Sequence, residues 1–333
     1  MSKKRTVLLI AALAIVATLY LLTPPRLAAE LDSPSLPDNL DEWLASSEAS
    51  SPYPLIPGTE KHIRWQTQPG QKTPYAIVYL HGFSASRQEI SPTMEIVADA
   101  VGANLFATRL NGHGRSSGAL ENVVAESWLD DAAEALAIGE RIGEQTILVG
   151  TSTGATLAVA MAEHELMQTV SHIVLISPNF ALNDSRAALL TKPAGPQLAD
   201  LLLGETRRFD VRNEGHGTYW SSSYPTRAVV EAMRLVDFVD ASLPLSLPGR
   251  LLVVYSPKDA VISPDAVLET LARITTSERS IVEVTETDDP LFHVIAGDIL
   301  SPSSTQTVAA AITTFLIGEA PAEADTPAEG PAP

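Results

Sequence analysis

The apolar run Thr146-Ile147-Leu148-Val149 leads into Gly150-Thr151-Ser152-Thr153-Gly154 and then into Ala155-Thr156-Leu157-Ala158-Val159-Ala160-Met161. A strand, a Gly-flanked turn with one serine, and a helix admit few folds. A turn that tight crowds backbone against backbone and leaves no room for a Cβ at the flanking positions. Ser152 is therefore held up and out of the turn, where a serine serves as a nucleophile. The following helix points its positive N-terminal end and unpaired N–H groups at the place where negative charge would develop in acyl transfer.

Around this turn, short β-rich runs alternate with helical ones: residues 103–108, an amphipathic 128–142, 147–150, 155–167 and 173–177. Such alternation predicts a mostly parallel sheet covered by helices. The rhythm breaks between 178 and 248, where Pro193, Gly195 and Pro196 precede Tyr219-Trp220-Ser221-Ser222-Ser223-Tyr224-Pro225 and a helix-like 228–239. This stretch is the candidate lid, because sites of open α/β sheets lie beyond the carboxyl ends of the strands and an insertion there would wall the pocket. Leu198, Leu201, Leu202 and Leu203, with Tyr219 and Trp220, are its candidate apolar lining.

A five-residue pattern recurs by accident, so the partners of Ser152 carry the argument. The candidate base is His293, the last of seven histidines, in a loop after the strand-like 280–284. The candidate acid is Asp259, since Arg250-Leu251-Leu252-Val253-Val254-Tyr255 ends in Ser256-Pro257-Lys258-Asp259. Asp265 is the alternative, although Pro264 reads as the first residue of a helix and makes Asp265 a first-turn charge. For the oxyanion, one donor is the N–H of Thr153. A second is the N–H of Phe83, because the buried strand 75–80 runs into His81-Gly82-Phe83-Ser84. In this scheme Ser152 attacks an acyl carbon, His293 shuttles the proton and Asp259 fixes the imidazole tautomer. The scheme calls for no metal and no cofactor.

Taken together, residues from about 62 to 316 resemble an α/β-hydrolase of the monoglyceride-lipase-like esterase and lipase branch. The resemblance rests on His81-Gly82-Phe83, on Arg109-Leu110-Asn111-Gly112-His113-Gly114-Arg115-Ser116, on the Gly150–Gly154 turn, on Ser256-Pro257-Lys258-Asp259 and on His293, in the order Ser, acid, His. It implies an α/β-hydrolase fold with an inserted lid, and a small-molecule or lipid-like carboxylic ester as substrate. One departure bears on acyl length: Thr153 stands where those lipases commonly carry a bulky apolar residue. Two other readings remain open. An amidase or peptidase would need carboxylates for a substrate amine, for which Glu205, Asp210 and Glu214 are available; a catalytically silent binding protein would have kept the fold alone. His81 and His113, in Gly-rich strand-end loops, read as holding those loops by hydrogen bonds, whereas His216 in the lid is ambiguous.

At the N-terminus, Lys3-Lys4-Arg5 precedes an uncharged run from Thr6 to Leu22. The run is near the lower limit for a spanning helix and longer than an ordinary signal-peptide core, and no small-x-small cleavage site follows it. The expected organisation is a basic cytoplasmic segment at 1–5, a transmembrane signal-anchor at 6–22, a Pro/Ser-rich tether at 23–58, a hydrolase domain at 59–317 and a disordered Pro/Ala/Glu tail at 318–333. Leu40-Asp41-Glu42-Trp43-Leu44 reads as one helical turn docked on the domain. Positive-inside orientation places the domain outside the cytoplasm, periplasmic in a Gram-negative cell, or secreted if the segment is cleaved. The chain carries 22 Lys plus Arg against 40 Asp plus Glu, a net charge of −18, which argues against nucleic acid, polyanionic substrates and an anionic lipid surface as partners of the domain body. It has no cysteine, so no disulfide or lipid-attachment thiol exists. The oligomeric state is not encoded in any of these features.

Overall fold

Unbroken apolar strands dictate the layout of the structure, a computed structural model that describes residue 27, residues 33–116 and residues 118–318. Along the chain the strands are β1 (His62–Arg64), β2 (Thr73–Leu80), β3 (Asn104–Ala107), β4 (Gly143–Thr151), β5 (Val170–Ile176), β6 (Thr206–Arg208), β7 (Ser223–Pro225), β8 (Leu245–Ser246), β9 (Arg250–Tyr255), β10 (Ile274–Thr275) and β11 (Glu278–Glu283). Seven of them build one sheet in the order β1-β3-β2-β4-β5-β9-β11. All neighbours in it are parallel except the edge pair β1 and β3. The central strands β2, β4, β5 and β9 are buried on both faces, which is why they read as continuous hydrophobic runs rather than alternating ones.

The described helices are α1 (Leu40–Ala49), α2 (Thr93–Val101), α3 (Ala125–Ile142), α4 (Thr153–Ala160), α5 (Gly195–Leu203), α6 (Glu214–Tyr219), α7 (Thr226–Ser242), α8 (Pro264–Leu271) and α9 (Pro302–Ile317). Alternate residues of each strand feed two cores. On one face Val78, Leu148 and Leu175 meet Trp128 and Leu136 of α3, Leu157 of α4 and Leu235 of α7. On the other face Ile77, Val149 and Val254 meet Met94 and Val97 of α2 and Val308 and Ile312 of α9. This is the three-layer α/β arrangement expected from the alternation of runs.

Strand order reverses around β2, whose two neighbours β3 and β4 both follow it in sequence. The crevice beyond the carboxyl ends at such a switch point is where open α/β sheets bind ligands. Register brings those ends together: Leu80 pairs with Gly150, Thr151 with Ile176, and Ile176 with Val254. The loops leaving β2, β4 and β9 therefore emerge side by side.

Several elements differ from expectation in extent. The expected helix at 155–167 divides into α4 and a separate 3₁₀ turn, Glu165–Thr169. The single turn expected at 40–44 is a ten-residue helix, capped by the Asn39 side chain on the Glu42 N–H. Leu40 and Leu44 enter the main core, and Glu48 is buried against Arg109 and Arg115, so part of the expected tether is built into the domain. Within 178–248, α7 gives Ala228, Ala232 and Leu235 to the main core. Its Val230, Met233 and Val236 form a smaller core with Leu190 and Ala199. The expected basic segment at 1–5, the apolar run at 6–22, and all but the first residue of the 318–333 tail lie outside the described residues. Among the described residues no helix is long and apolar enough to cross a membrane.

Candidate active site

Ser152 sits between β4 and α4 at φ 52° and ψ −115°, a left-handed conformation that costs a non-glycine residue energy and persists only where its surroundings enforce it. Enforcement comes from the backbone. The Ser152 N–H donates to the Ile176 carbonyl at 2.9 Å, and its own carbonyl accepts from Ala155 and Thr156 of α4 and from Asn179. A Cβ at position 154 would lie 2.0 Å from the Leu80 carbonyl oxygen, so only glycine lets α4 start this close to the end of β2.

Three of the residues named from sequence meet here. His293 Nε2 lies 3.0 Å from Ser152 Oγ, and its Nδ1 lies 2.8 Å from Asp259 Oδ2. Asp259 is buried, and its other oxygen accepts the Val261 and Ile262 N–H groups at 2.8 and 2.9 Å, which fixes the carboxylate plane. Burial works against a charged imidazole, but the charge and hydrogen bond of Asp259, with Glu89 and Asp289 further away, outweigh it, so the His293 pKa lies above its ordinary value. Asp265 is elsewhere, exposed in the first turn of α8 behind Pro264.

Phe83 and Thr153 stand at the ends of β2 and β4, with Thr153 the first residue of α4. Trans geometry directs the N–H of a peptide opposite to its C=O. The Gly82 carbonyl accepts from His81 Nδ1 at 2.8 Å and from the Ala85 N–H at 3.3 Å, so the Phe83 N–H faces away from both. His81 Nε2 in turn accepts the Leu110 N–H at 3.0 Å. Both ring nitrogens of His81 are thus committed to backbone, and burial holds its pKa well below the ordinary range, in keeping with the loop-holding role read from sequence. His113 binds the Asn111 carbonyl through Nδ1, packs edge-on against Phe83, and is held by burial at about 4.

Two carboxylates that the sequence did not single out complete the surroundings. Asp289 is 2% exposed and accepts N–H bonds from Leu291, His293 and Val294, clamping the loop that carries the imidazole. It also pairs with Arg212 from the 178–248 insertion. Burial raises its pKa, and the backbone donors and Arg212 more than reverse that, so it lies below the usual carboxylate value. Glu89 ends a 3₁₀ turn after the Phe83 loop and accepts the Gly82 N–H at 2.8 Å. The only sequence cue for Asp289 was the acidic pair before His293; Glu89 had none.

Besides the Asn179 N–H, the insertion reaches the site at several points. Arg212 holds Asp289, the Ser221 N–H donates to the Ser84 carbonyl at 2.7 Å, and Tyr224 packs edge-on against Phe83 with ring centroids 5.0 Å apart. Trp220 is buried with Ala85, Val294 and Leu300, and His216 stacks on Phe209. The four leucines of α5 do not line the site. Leu198, Leu201, Leu202 and Leu203 are exposed, because α5 turns its Ala199 side inward onto α7. A cavity of about 520 Å³ lies under the insertion, lined by Glu121, Asp200, Glu205, Arg208, Tyr224 and Arg227 among others. Neither Ser152 nor His293 lines it; Tyr224 is its link to the Phe83 loop.

A seven-stranded, mostly parallel sheet with a strained serine at a β4-to-α4 turn defines an α/β-hydrolase. Residues 77–298 match the Alpha/beta hydrolase family, and the chain belongs to it. It is similar to a thermostable monoacylglycerol lipase of Bacillus sp. (strain H-257), with 23% identity over 253 residues covering 76% of this chain and 94% of that protein. Among solved structures it shares its fold with a chain from work on LipS and LipT, two metagenome-derived lipolytic enzymes, at a TM-score of 0.62 and 19% identity over 80% of this chain and 100% of that one. The Paleococcus ferrophilus monoacylglycerol lipase gives a TM-score of 0.57 and 15% identity over 78% and 99%.

Proposed function

We propose that the protein is a membrane-tethered serine esterase that cleaves carboxylic esters through an acyl-enzyme on Ser152. The observation that carries this reading is the unbroken path from Ser152 Oγ to His293 Nε2 at 3.0 Å and from His293 Nδ1 to Asp259 at 2.8 Å. It lies at the strand ends, where Thr153 opens α4 and the backbone of Gly82, just before Phe83, approaches Ser152. Ser152 Oγ attacks the ester carbonyl carbon while His293 Nε2 takes its proton, and Asp259 supports the imidazolium. The oxyanion accepts the N–H groups of Phe83 and Thr153. His293 then returns the proton to the departing alkoxide, leaving the acyl group on Ser152. Water attacks the acyl-enzyme by the same route, with His293 first as base and then as acid.

The substrate proposed is an uncharged, lipid-like ester. The two monoacylglycerol lipases among the relatives support the class, and the net charge of −18 disfavours polyanions. Of the carboxylates available for a substrate amine, Glu205 lines the cavity of the insertion beside Arg208 and Arg227, away from Ser152 and His293. In this reading 59–317, joined by the helix at 40–49, is the catalytic domain, 178–248 its lid, the rest of 23–58 the link to the membrane, and the run at 6–22 an anchor that leaves the domain outside the cytoplasm.

Chromogenic esters from acetate to palmitate, assayed with the full chain and with Ser152→Ala, test the chemistry. Turnover lost in Ser152→Ala is the expected result, and the preferred acyl length then separates a short-chain esterase from a lipase. Ester turnover that survives Ser152→Ala, or cleavage of anilides but of no ester, would overturn the reading. Membrane fractionation and protease accessibility in intact cells test the anchor: recovery in the soluble cytoplasm would remove it.

A further inference from the structure

Glu89 is a carboxylate in an expensive place. It is 3% exposed, and among the described residues no Lys, Arg or His forms an ion pair with it. Arg87, on the same turn, is engaged by the carbonyl and carboxylate of Glu60. Burying an unpaired carboxylate costs several kcal/mol unless its surroundings recover the energy, so the position calls for an account. Its Oε2 accepts two bonds, from the Tyr79 hydroxyl at 3.0 Å and from the Gly82 N–H at 2.8 Å. Tyr79 Oη also lies 3.2 Å from Thr151 Oγ1, the residue before the candidate nucleophile. A Cβ at Gly82 would be 2.7 Å from Glu89 Oε1 and 3.2 Å from Ser152 Cβ. The carboxylate therefore lies against the loop that presents the Phe83 amide, on a backbone site shared with Ser152.

We propose that Glu89 is a positioning residue of the ester-cleaving site: it clamps the Gly82 amide so that Phe83 faces the oxyanion, and its negative charge supports protonated His293 alongside Asp259. This rests on the reading of Ser152, His293 and Asp259 given above. Both peptides around Gly82 are then tied, one through its N–H to Glu89 and the other through its carbonyl to His81 and Ala85. Burial pushes the Glu89 carboxyl up to about 7, while the Gly82 N–H, the charge of His293 and the Tyr79 hydroxyl all favour its ionised form. The groups bearing on it are Tyr79 from β2, Thr151 from β4 through Tyr79, and His293 with Asp259 and Asp289 behind it. Glu95, on the same segment, is bonded to Ser91. Glu89 and His293 bear on each other's charge, so the apparent pKa values of turnover belong to the pair.

The sign follows directly. A negative Glu89 favours imidazolium and so raises the pH at which His293 becomes a free base; removing the charge lowers it. Glu89→Gln can keep an acceptor for Tyr79 and Gly82 while losing the charge. In the full chain, hydrolysing p-nitrophenyl butyrate, it is expected to move the acid limb of kcat/KM down by about 1 unit and to lower plateau kcat about tenfold. Glu89→Ala also releases the clamp and is expected to lower kcat about 10²-fold with little change in KM, as for loss of an oxyanion donor. Tyr79→Phe guards against a misfolded Glu89 variant. It leaves Glu89 in place but removes a bond that favours ionisation, so its acid limb is expected to fall between those of wild type and Glu89→Gln. An unmoved acid limb in Glu89→Gln, or in Tyr79→Phe should the former not fold, overturns the charge role. A folded Glu89→Ala with wild-type kcat overturns the clamp. Ser152→Ala is assayed alongside: if it remains active, the triad reading has failed, whereas an inactive Ser152→Ala beside a wild-type-like Glu89→Gln means that this proposal alone has failed.

Discussion

Replacing Asp289 by Asn would separate the hold on the His293 loop from the chemistry of His293 itself. One carboxylate oxygen accepts the Leu291 N–H and the Arg212 guanidinium, and the other accepts the His293 and Val294 N–H groups. An asparagine has one acceptor oxygen, so whichever way it lies, two donors face an NH₂ group. A buried donor left without a partner costs roughly 1–3 kcal/mol, so two cost about 3 kcal/mol or more in stability. The Arg212 side chain is 28% exposed, and its share of the ion pair is discounted accordingly: Arg212→Gln is expected to cost about 1 kcal/mol or less. In a domain of this size 3 kcal/mol corresponds to a fall in Tm of about 6–12 °C. If the amide nitrogen faces His293, the loop shifts, and a displacement on the order of 1 Å in the base lowers kcat about 10²-fold. Urea denaturation followed by tryptophan fluorescence gives the first number and ester turnover the second. Because the folded-state pKa of Asp289 is depressed, its contribution is complete above the unfolded value of about 3.9 and disappears as pH falls through the folded value. The gap between Asp289→Asn and wild type should therefore close only in strong acid. A cost below that of Arg212→Gln, with kcat unchanged, would refute the argument that the backbone donors dominate.

Five further outcomes are expected. The acid limb of kcat/KM should lie above the ordinary imidazole value of about 6.5, because His293 must be neutral to act as base and its pKa is raised; Asp259→Asn should lower kcat about 10³–10⁴-fold, as a stopped assay at the alkaline plateau would record. Gly154→Ala forces a Cβ to 2.0 Å from the Leu80 carbonyl and should destabilise by about 3 kcal/mol or more, read by thermal melting. The Thr153 hydroxyl is buried without a partner among the described residues, so Thr153→Val should raise stability by about 1 kcal/mol in the same melt. Glu48→Ala leaves the guanidinium groups of Arg109 and Arg115 buried without their carboxylate and should cost about 3 kcal/mol in chemical denaturation, which would mark α1 as part of the folded domain.

The fold was legible because its determinants are local. Buried parallel strands announce themselves as unbroken apolar runs: 147–150 lies within β4, and all but the last residue of 173–177 lies within β5. Ser152 was legible for the same reason, since its conformation is imposed by a turn five residues long. The expected helix at 155–167 outruns α4 because the 3₁₀ turn Glu165–Thr169 is set by packing against α3, which lies elsewhere in the chain. The α5 leucines misled for a related reason. Four apolar residues in six positions look like a buried face, but which of them faces inward depends on what α7 offers, and α7 offers room for Ala199.

Glu89 and Asp289 show where reading by residue type stops. Each is an ordinary acidic residue in a polar loop, and each takes its role from donors it meets only after folding. For Asp289 these are three N–H groups within five residues, a geometry created by the left-handed Phe292 at φ 53°. For Glu89 they are Tyr79, ten residues earlier on β2, and the Gly82 amide, with Thr151 of β4 beyond them. On the proposed reading the two carboxylates hold the loops of the base and of the oxyanion donor, so the precision of the site would depend on residues that touch neither nucleophile nor substrate. That division explains why the chemistry can be named from a handful of motif residues while its tuning cannot. The nucleophile, base and acid are restricted to few residue types by the reaction, whereas a group that positions a backbone amide need only be an acceptor in the right place.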